Sequence, residues 1–209
     1  PDGQLYERIY ELAFKKHSYH WPVIGYEEHL ARAKSAECYE FYKRFYAPNN
    51  AVIAVVGDVN PSDVMSKIEK AYGNIPSSTI KRREIKTEPV QIAERRETMR
   101  LKTQVEKLMI AFHSASGKDE DFRALEVLRN LLGAGKSSRL YRKLVDAGIA
   151  TEIEIDNSEH KDRGLFIFSV DMQKGKTARQ ALNVIDTEVK QIQAGNFKKE
   201  DLNRAVSVM

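Results

Sequence analysis

The chain has 209 residues, with 34 Lys plus Arg against 30 Asp plus Glu, a formal charge of +4, and 42% hydrophobic residues. That balance is too apolar for a disordered chain and too evenly charged for a basic tail, and the length suits one large domain or two small ones. Cys38 is the only cysteine, which excludes an intrachain disulfide and a cysteine-cluster metal site, and no run of about 18 apolar residues is present to span a bilayer.

Leu5, Ile9, Leu12 and Ala13 recur at helical spacing and predict an amphipathic helix over 4–16. Both ends of the chain look cut. Pro1-Asp2-Gly3 runs straight into this helix without an initiator Met or signal peptide, and Met209 stops inside another helical pattern. His17 to Gly25 has no clear period. Ser35 is placed to cap a helix through about Tyr46, with Cys38, Phe41, Tyr42 and Phe45 on one side. After the turn at Pro48-Asn49-Asn50, the apolar run Ala51 to Val56 predicts a buried strand. Asn60-Pro61 reads as a cap and first-turn proline for a helix closed at Gly73.

Residues 76–93 lose all period and read as a linker between 1–75 and 94–209. The second part opens with two strand-like stretches, 94–101 and 104–113, the latter with Leu108, Ile110 and Phe112 on one face. A helix over 119–132 turns inward through Phe122, Leu125, Leu128 and Leu132. Gly133-Ala134-Gly135-Lys136 breaks it, and a helix starting at Ser137 runs to Gly148. Strands follow at 149–156 and 165–170, then helices at 177–194 and from 198 to the end. The order β-β-α-α-β-β-α-α predicts an α+β fold, a mostly antiparallel sheet with helices packed on one face.

No complete catalytic or metal site emerges. Gly25-Tyr26-Glu27-Glu28-His29 ends like the inverted zinc motif His-x-x-Glu-His, but Gly25 stands where the first ligand is needed. His17 and His20, beside Tyr19 and Trp21, are half a metal site without a neighbouring carboxylate or thiolate, and read as packing a turn. His113 and His160 are isolated. Gly135-Lys136-Ser137 resembles the end of a phosphate loop, yet a helix precedes it where that loop requires a strand, so a helix–helix turn capped by Ser137 is favoured. Cys38 on an apolar helix face reads as a buried, inert thiol. Residues 81–102 hold Lys81, Arg82, Arg83, Lys86, Arg95, Arg96, Arg100 and Lys102 against Glu84, Glu88, Glu94 and Glu97. With no interleaved aromatic, this net +4 reads as a solvated linker rather than a nucleic-acid footprint.

Several stretches, in order, carry a resemblance. Phe14-Lys15-Lys16-His17-Ser18-Tyr19 with Trp21-Pro22-Val23-Ile24-Gly25 is similar to a stretch of the pitrilysin/insulinase-type zinc metallopeptidases, which include the mitochondrial processing peptidases and many bacterial zinc proteases. Phe41-Tyr42, Tyr46-Ala47-Pro48-Asn49-Asn50-Ala51-Val52 and Val56-Gly57-Asp58-Val59 resemble the family's signature, and Glu88-Pro89 to Glu94-Arg95-Arg96 its inter-domain stretch. Ala124 to Leu128, Leu131-Leu132-Gly133 and Ser137 to Tyr141 resemble its helix pair.

The resemblance implies a fold of the LuxS/processing-peptidase-like unit and a zinc site lying upstream of residue 1, so that no residue here is catalytic or metal-binding and the substrate-binding residues stay unassigned. It implies the end of a first, catalytic-type domain (1–75), a linker (76–93) and most of a second, non-catalytic domain (94–209). It further implies zinc in the parent protein only, a peptide or unfolded-polypeptide substrate, and a second peptidase half in the same or another chain. The family's substrate-binding Arg and Tyr fall on Leu144 and Thr151, which suggests the zinc-bearing half rather than its partner. A bacterial periplasmic or cell-envelope location is favoured by the resemblance. The expected role is chamber wall, peptide contact and partner contact in a zinc endopeptidase; the alternative is a structural or partner subunit of the same fold without zinc at full length. The segment alone is expected to be inactive, and its cut faces to favour self-association.

Overall fold

A computed structural model describes residues 2–82 and 84–209; Pro1, and Arg83 of the basic run, lie outside the described residues. The chain divides into two compact units, one made of the residues up to Trp21 with Lys86–Met209, the other of Pro22–Ile85.

The larger unit is built on an antiparallel sheet of β1 (Lys107–His113), β2 (Ala150–Asp156) and β3 (Leu165–Met172), in the order β1-β3-β2. β3 is central, and its near-continuous apolar sequence follows from being covered on both faces. The register pairs Ile110 with Phe168 and Leu108 with Val170 on one side of β3, and Ile153 with Val170 and Ile155 with Phe168 on the other. Those side chains share one face by the two-residue period. α5 (Asp121–Gly133), the single turn α6 (Arg139–Tyr141) with the π-helical turn Arg142–Asp146 that continues it, and α7 (Ala178–Gln193) cover this face. Leu132, Leu140, Leu144, Ala181 and Ile185 join Phe166, Phe168, Val170 and Met172 in the core. α5 ends at Gly133, where a Cβ would stand 2.7 Å from Ile155 Cδ1; the missing side chain lets the helix end approach β2 closely. α8 (Lys199–Ser207) packs on α5, where buried Asn130 donates to the Ala205 carbonyl at 3.1 Å.

The opposite face carries Met109, Ala111, Leu165 and Ile167. α1 (Asp2–Ala13) covers it through Ile9, Tyr10, Ala13 and the adjoining Phe14. Helices therefore pack on both faces at the β1 side, in addition to the expected helical layer. Lys107 ties α1 to the sheet, with its ammonium 2.7 Å from Asp2 and 2.6 Å from Asp171.

The smaller unit holds α2 (Glu27–Arg32), α3 (Ser35–Phe45) and α4 (Pro61–Tyr72). Asn60 caps α4 as expected, its Oδ1 accepting from the Ser62 N–H at 3.0 Å. Other expectations are corrected. Lys34, not Ser35, occupies the cap position of α3, where its N–H donates to Glu37 at 3.0 Å. The run 51–56 is extended but joins no ladder among the described residues, and Val52, Ile53, Val55 and Val56 are exposed. A strand needs a partner to satisfy its backbone, and none of the described segments supplies one. The same reason removes the strand expected at 94–101, so residues 94–209 read β-α-α-β-β-α-α. Cys38 is exposed rather than buried, because no described element covers the α3 face that also shows Phe41 and Tyr42.

Candidate functional site

Four of the candidate residues of the larger unit gather around Phe14. The His17 ring lies 5.8 Å from Phe14 and 4.2 Å from Tyr19, His113 lies 5.2 Å from Phe14, and His160 lies 5.1 Å from Tyr19. Sequence spacing alone gave no sign of this meeting, since the β1–β3 pairing and α1 bring distant segments together. The rings are hydrogen-bonded. The Tyr19 N–H donates to His17 Nδ1 at 3.2 Å, leaving Nε2 to carry the proton, 3.4 Å from Asp162 Oδ2. His20 Nδ1 lies 2.7 Å from the Phe14 carbonyl, and His113 Nε2 lies 3.1 Å from the Ala13 carbonyl. These imidazoles serve backbone and aromatic packing. One ring nitrogen each of His20 and His113 is taken by a backbone carbonyl, and both ring nitrogens of His17 have partners.

Glu88 is the other organising residue. Its carboxylate accepts from the backbone N–H of Lys15, Lys16 and His17, at 2.7–3.0 Å. Burial alone would raise its pKa, but these three donors and nearby Arg95 hold it below the ordinary glutamate value. Arg95 in turn donates to the Leu12 and Ala13 carbonyls at 2.6 and 3.0 Å. The stretch 86–95 is thereby fastened to the end of α1. Two charged residues of the supposed solvated linker thus have structural partners, a role that a count of charges does not reveal.

Glu28 and His29 lie on α2, both exposed, with His29 Nε2 3.8 Å from Glu28 Oε1. Among the described residues no group of three or more His, Cys, Asp or Glu is placed to hold a metal. Gly135-Lys136-Ser137 forms the turn between α5 and α6, as the helix–helix reading expects, but Ser138 rather than Ser137 occupies the cap position. Leu144 is fully buried in the core, and Thr151 is exposed with its hydroxyl donating to the Asp171 carbonyl at 3.2 Å. Neither offers the guanidinium or phenol that the family places there.

Both β1 and β2 are edge strands of the sheet among the described residues, each paired only with β3; the edge of β1 is the one that borders a groove. A groove of about 440 Å³ lies between Ala111, Phe112 and His113 on β1 and residues Gln91 to Glu94. Phe112 is half exposed there. A free strand edge beside an exposed aromatic can accept an extended peptide through main-chain hydrogen bonds and one side-chain contact.

Residues 33–209 match the peptidase M16 inactive domain. The chain belongs to that family. It is 28% identical over 209 residues to the zinc protease PqqE of Helicobacter pylori, covering 98% of this chain and 47% of that protein. It also aligns, at 26% identity over 170 residues, with the zinc protease YmxG of Bacillus subtilis, covering 79% of this chain and 40% of that protein. A crystal structure of a protease from Helicobacter pylori superposes with a TM-score of 0.84 at 27% identity, covering 98% of this chain and 51% of that chain. The peptidase M16 inactive domain from Pseudomonas fluorescens shares the fold, with a TM-score of 0.80 at 19% identity over 98% of this chain and 50% of that one. The chain thus spans about half the length of the curated relatives it matches. It is a non-catalytic region by family, and its α+β fold is that of the inactive domain.

Proposed function

We propose that this chain is the non-catalytic region of a zinc-dependent endopeptidase, forming chamber wall, peptide contacts and the surface that meets the partner half. Residues 1–75 end a catalytic-type domain, 76–93 link it, and 94–209 belong to the second domain. Zinc is held by the parent polypeptide outside this chain, and the segment alone cleaves nothing. The observation that carries the reading is the pairing of inactive-domain membership with an unpaired outer edge of β1 beside a groove. No step of peptide hydrolysis is assigned to residues of this chain; its part is to bind and orient. The β1 edge takes an extended substrate segment by strand addition, and Phe112 contacts one of its side chains.

The test is steady-state peptide cleavage by the full polypeptide carrying Phe112→Glu. A rise in KM with kcat and zinc content kept is expected; because the half-exposed Phe112 ring also packs on Phe168, thermal melts of the variant and wild type are compared alongside. An unchanged KM contradicts the assignment of the β1 groove. The alternative, a partner subunit without zinc, predicts instead that the full polypeptide holds no metal.

A further inference from the structure

A second cleft, of about 660 Å³, lies on the helical side of the larger unit. Ser137, Arg139 and Arg142 line it on one side, and the α7–α8 turn with Lys198 and Arg204 on the other. Among its lining residues four are cations and Asp201 is the one carboxylate. Two of the cations are held in place. Arg139 Nε donates to Glu188 Oε2 at 2.8 Å, and Arg204 pairs with Asp201 at 3.1 Å. Glu188 is fully buried and also pairs with Lys143, so it is a fixed post for the Arg139 guanidinium. That bond uses one nitrogen; neither terminal nitrogen of Arg139 has a hydrogen-bond partner among the described residues, and Arg142 and Lys198 have no carboxylate partner there either.

One further detail marks the cleft. Ser138, next in sequence to lining residues Ser137 and Arg139 but not itself in the wall, is fully buried. At the start of α8, Lys198 gives no side-chain cap, so the first-turn N–H groups lack that acceptor.

We infer that this cleft binds a phosphate-group ligand carrying at least two negative charges, held by Arg139, Arg142, Lys198 and Arg204. The cations come from four places, the α6 turn (Arg139), the π turn (Arg142), the residue before α8 (Lys198) and the last turn of α8 (Arg204). Tetrahedral phosphate oxygens accept from several directions, whereas a carboxylate presents one planar fork. Phe197 is the only large apolar side chain in the lining, which leaves little for the apolar side chains of a peptide. The volume falls within the range of small-ligand sites. The glycine–lysine–serine turn takes part without being a phosphate loop: it follows α5 rather than a strand, and contributes Ser137 to the wall.

Isothermal titration of the full polypeptide with tripolyphosphate tests this. Orthophosphate, adenosine triphosphate and a poly-glutamate peptide serve as parallel arms, each at low and high salt. One saturable site per chain is expected, tighter for tripolyphosphate than for orthophosphate and weakened by salt. Saturable binding of tripolyphosphate or of the nucleotide supports the site, and the tighter of the two identifies the source of the phosphate. Arg142→Ala and Lys198→Ala, both at exposed positions, are each expected to weaken binding about tenfold or more, while Lys174→Ala, outside the cleft, leaves it unchanged. Absence of saturable binding, equal loss in Lys174→Ala, or preference for the poly-glutamate peptide overturns the proposal.

Discussion

Two carboxylates decide how the larger unit is tied together. Glu88 receives three backbone N–H groups from Lys15 to His17. Glu88→Gln keeps the shape but removes the charge, and is expected to cost about 1–3 kcal/mol. Because the folded pKa of Glu88 lies below its ordinary value, its contribution is present above the unfolded pKa of ~4.3 and is lost as pH falls through the folded value. Urea melts of wild type and Glu88→Gln are therefore expected to differ at neutral pH and converge in acid; parallel profiles contradict this anchor. Glu188 differs in being fully buried. Burial alone would raise its pKa, and Lys143 and Arg139 instead hold it below the ordinary value. Removing it by Glu188→Ala is expected to destabilise by about 1–3 kcal/mol, less than a fully buried pair, since the Lys143 side chain is half exposed. Neither role was legible in the sequence. Each carboxylate meets partners more than 40 positions away, and only the fold brings them together.

Among the elements, those with their own period and stops were legible. β2, β3, α5, α7 and α8 fall where alternation, helical spacing and glycine placed them. The strands expected at 51–56 and 94–101 fail for a common reason: apolar sequence specifies that a segment will be extended, but a ladder needs a neighbouring strand, and the described residues supply none. Cys38 fails likewise, since helical spacing identifies an apolar face without saying what covers it. Its exposure predicts that the native chain reacts with a thiol reagent at a rate near that of the unfolded chain; strong protection would show that α3 is covered. The β3 core behaves differently. Phe168 is 2% exposed and packs against Phe166 and Phe112, so Phe168→Ala is expected to lose about 3–5 kcal/mol in equilibrium unfolding.

At the scale of the whole molecule, the sequence carried more about what is missing than about what is present. Gly25 stands where a first histidine would precede Glu28-His29, and Leu144 and Thr151 stand where the resemblance places an Arg and a Tyr. The β1 groove and the cationic cleft depend on segments far apart in the chain, so no local motif marked either. The smaller unit exposes Tyr39, Phe41, Tyr42, Val52 and Val56, surface suited to a further chain. Self-association of the isolated segment is expected in sedimentation runs, and a monomer across concentrations contradicts it.

The central claim is that catalysis belongs to the parent polypeptide and not to this region. Zinc content and peptide cleavage, measured side by side on the full polypeptide and on the 209-residue chain, test it most directly. The account predicts stoichiometric zinc and cleavage for the full polypeptide and neither for the chain alone. One zinc per isolated chain, lost on substitution of His17 or His20, would contradict it.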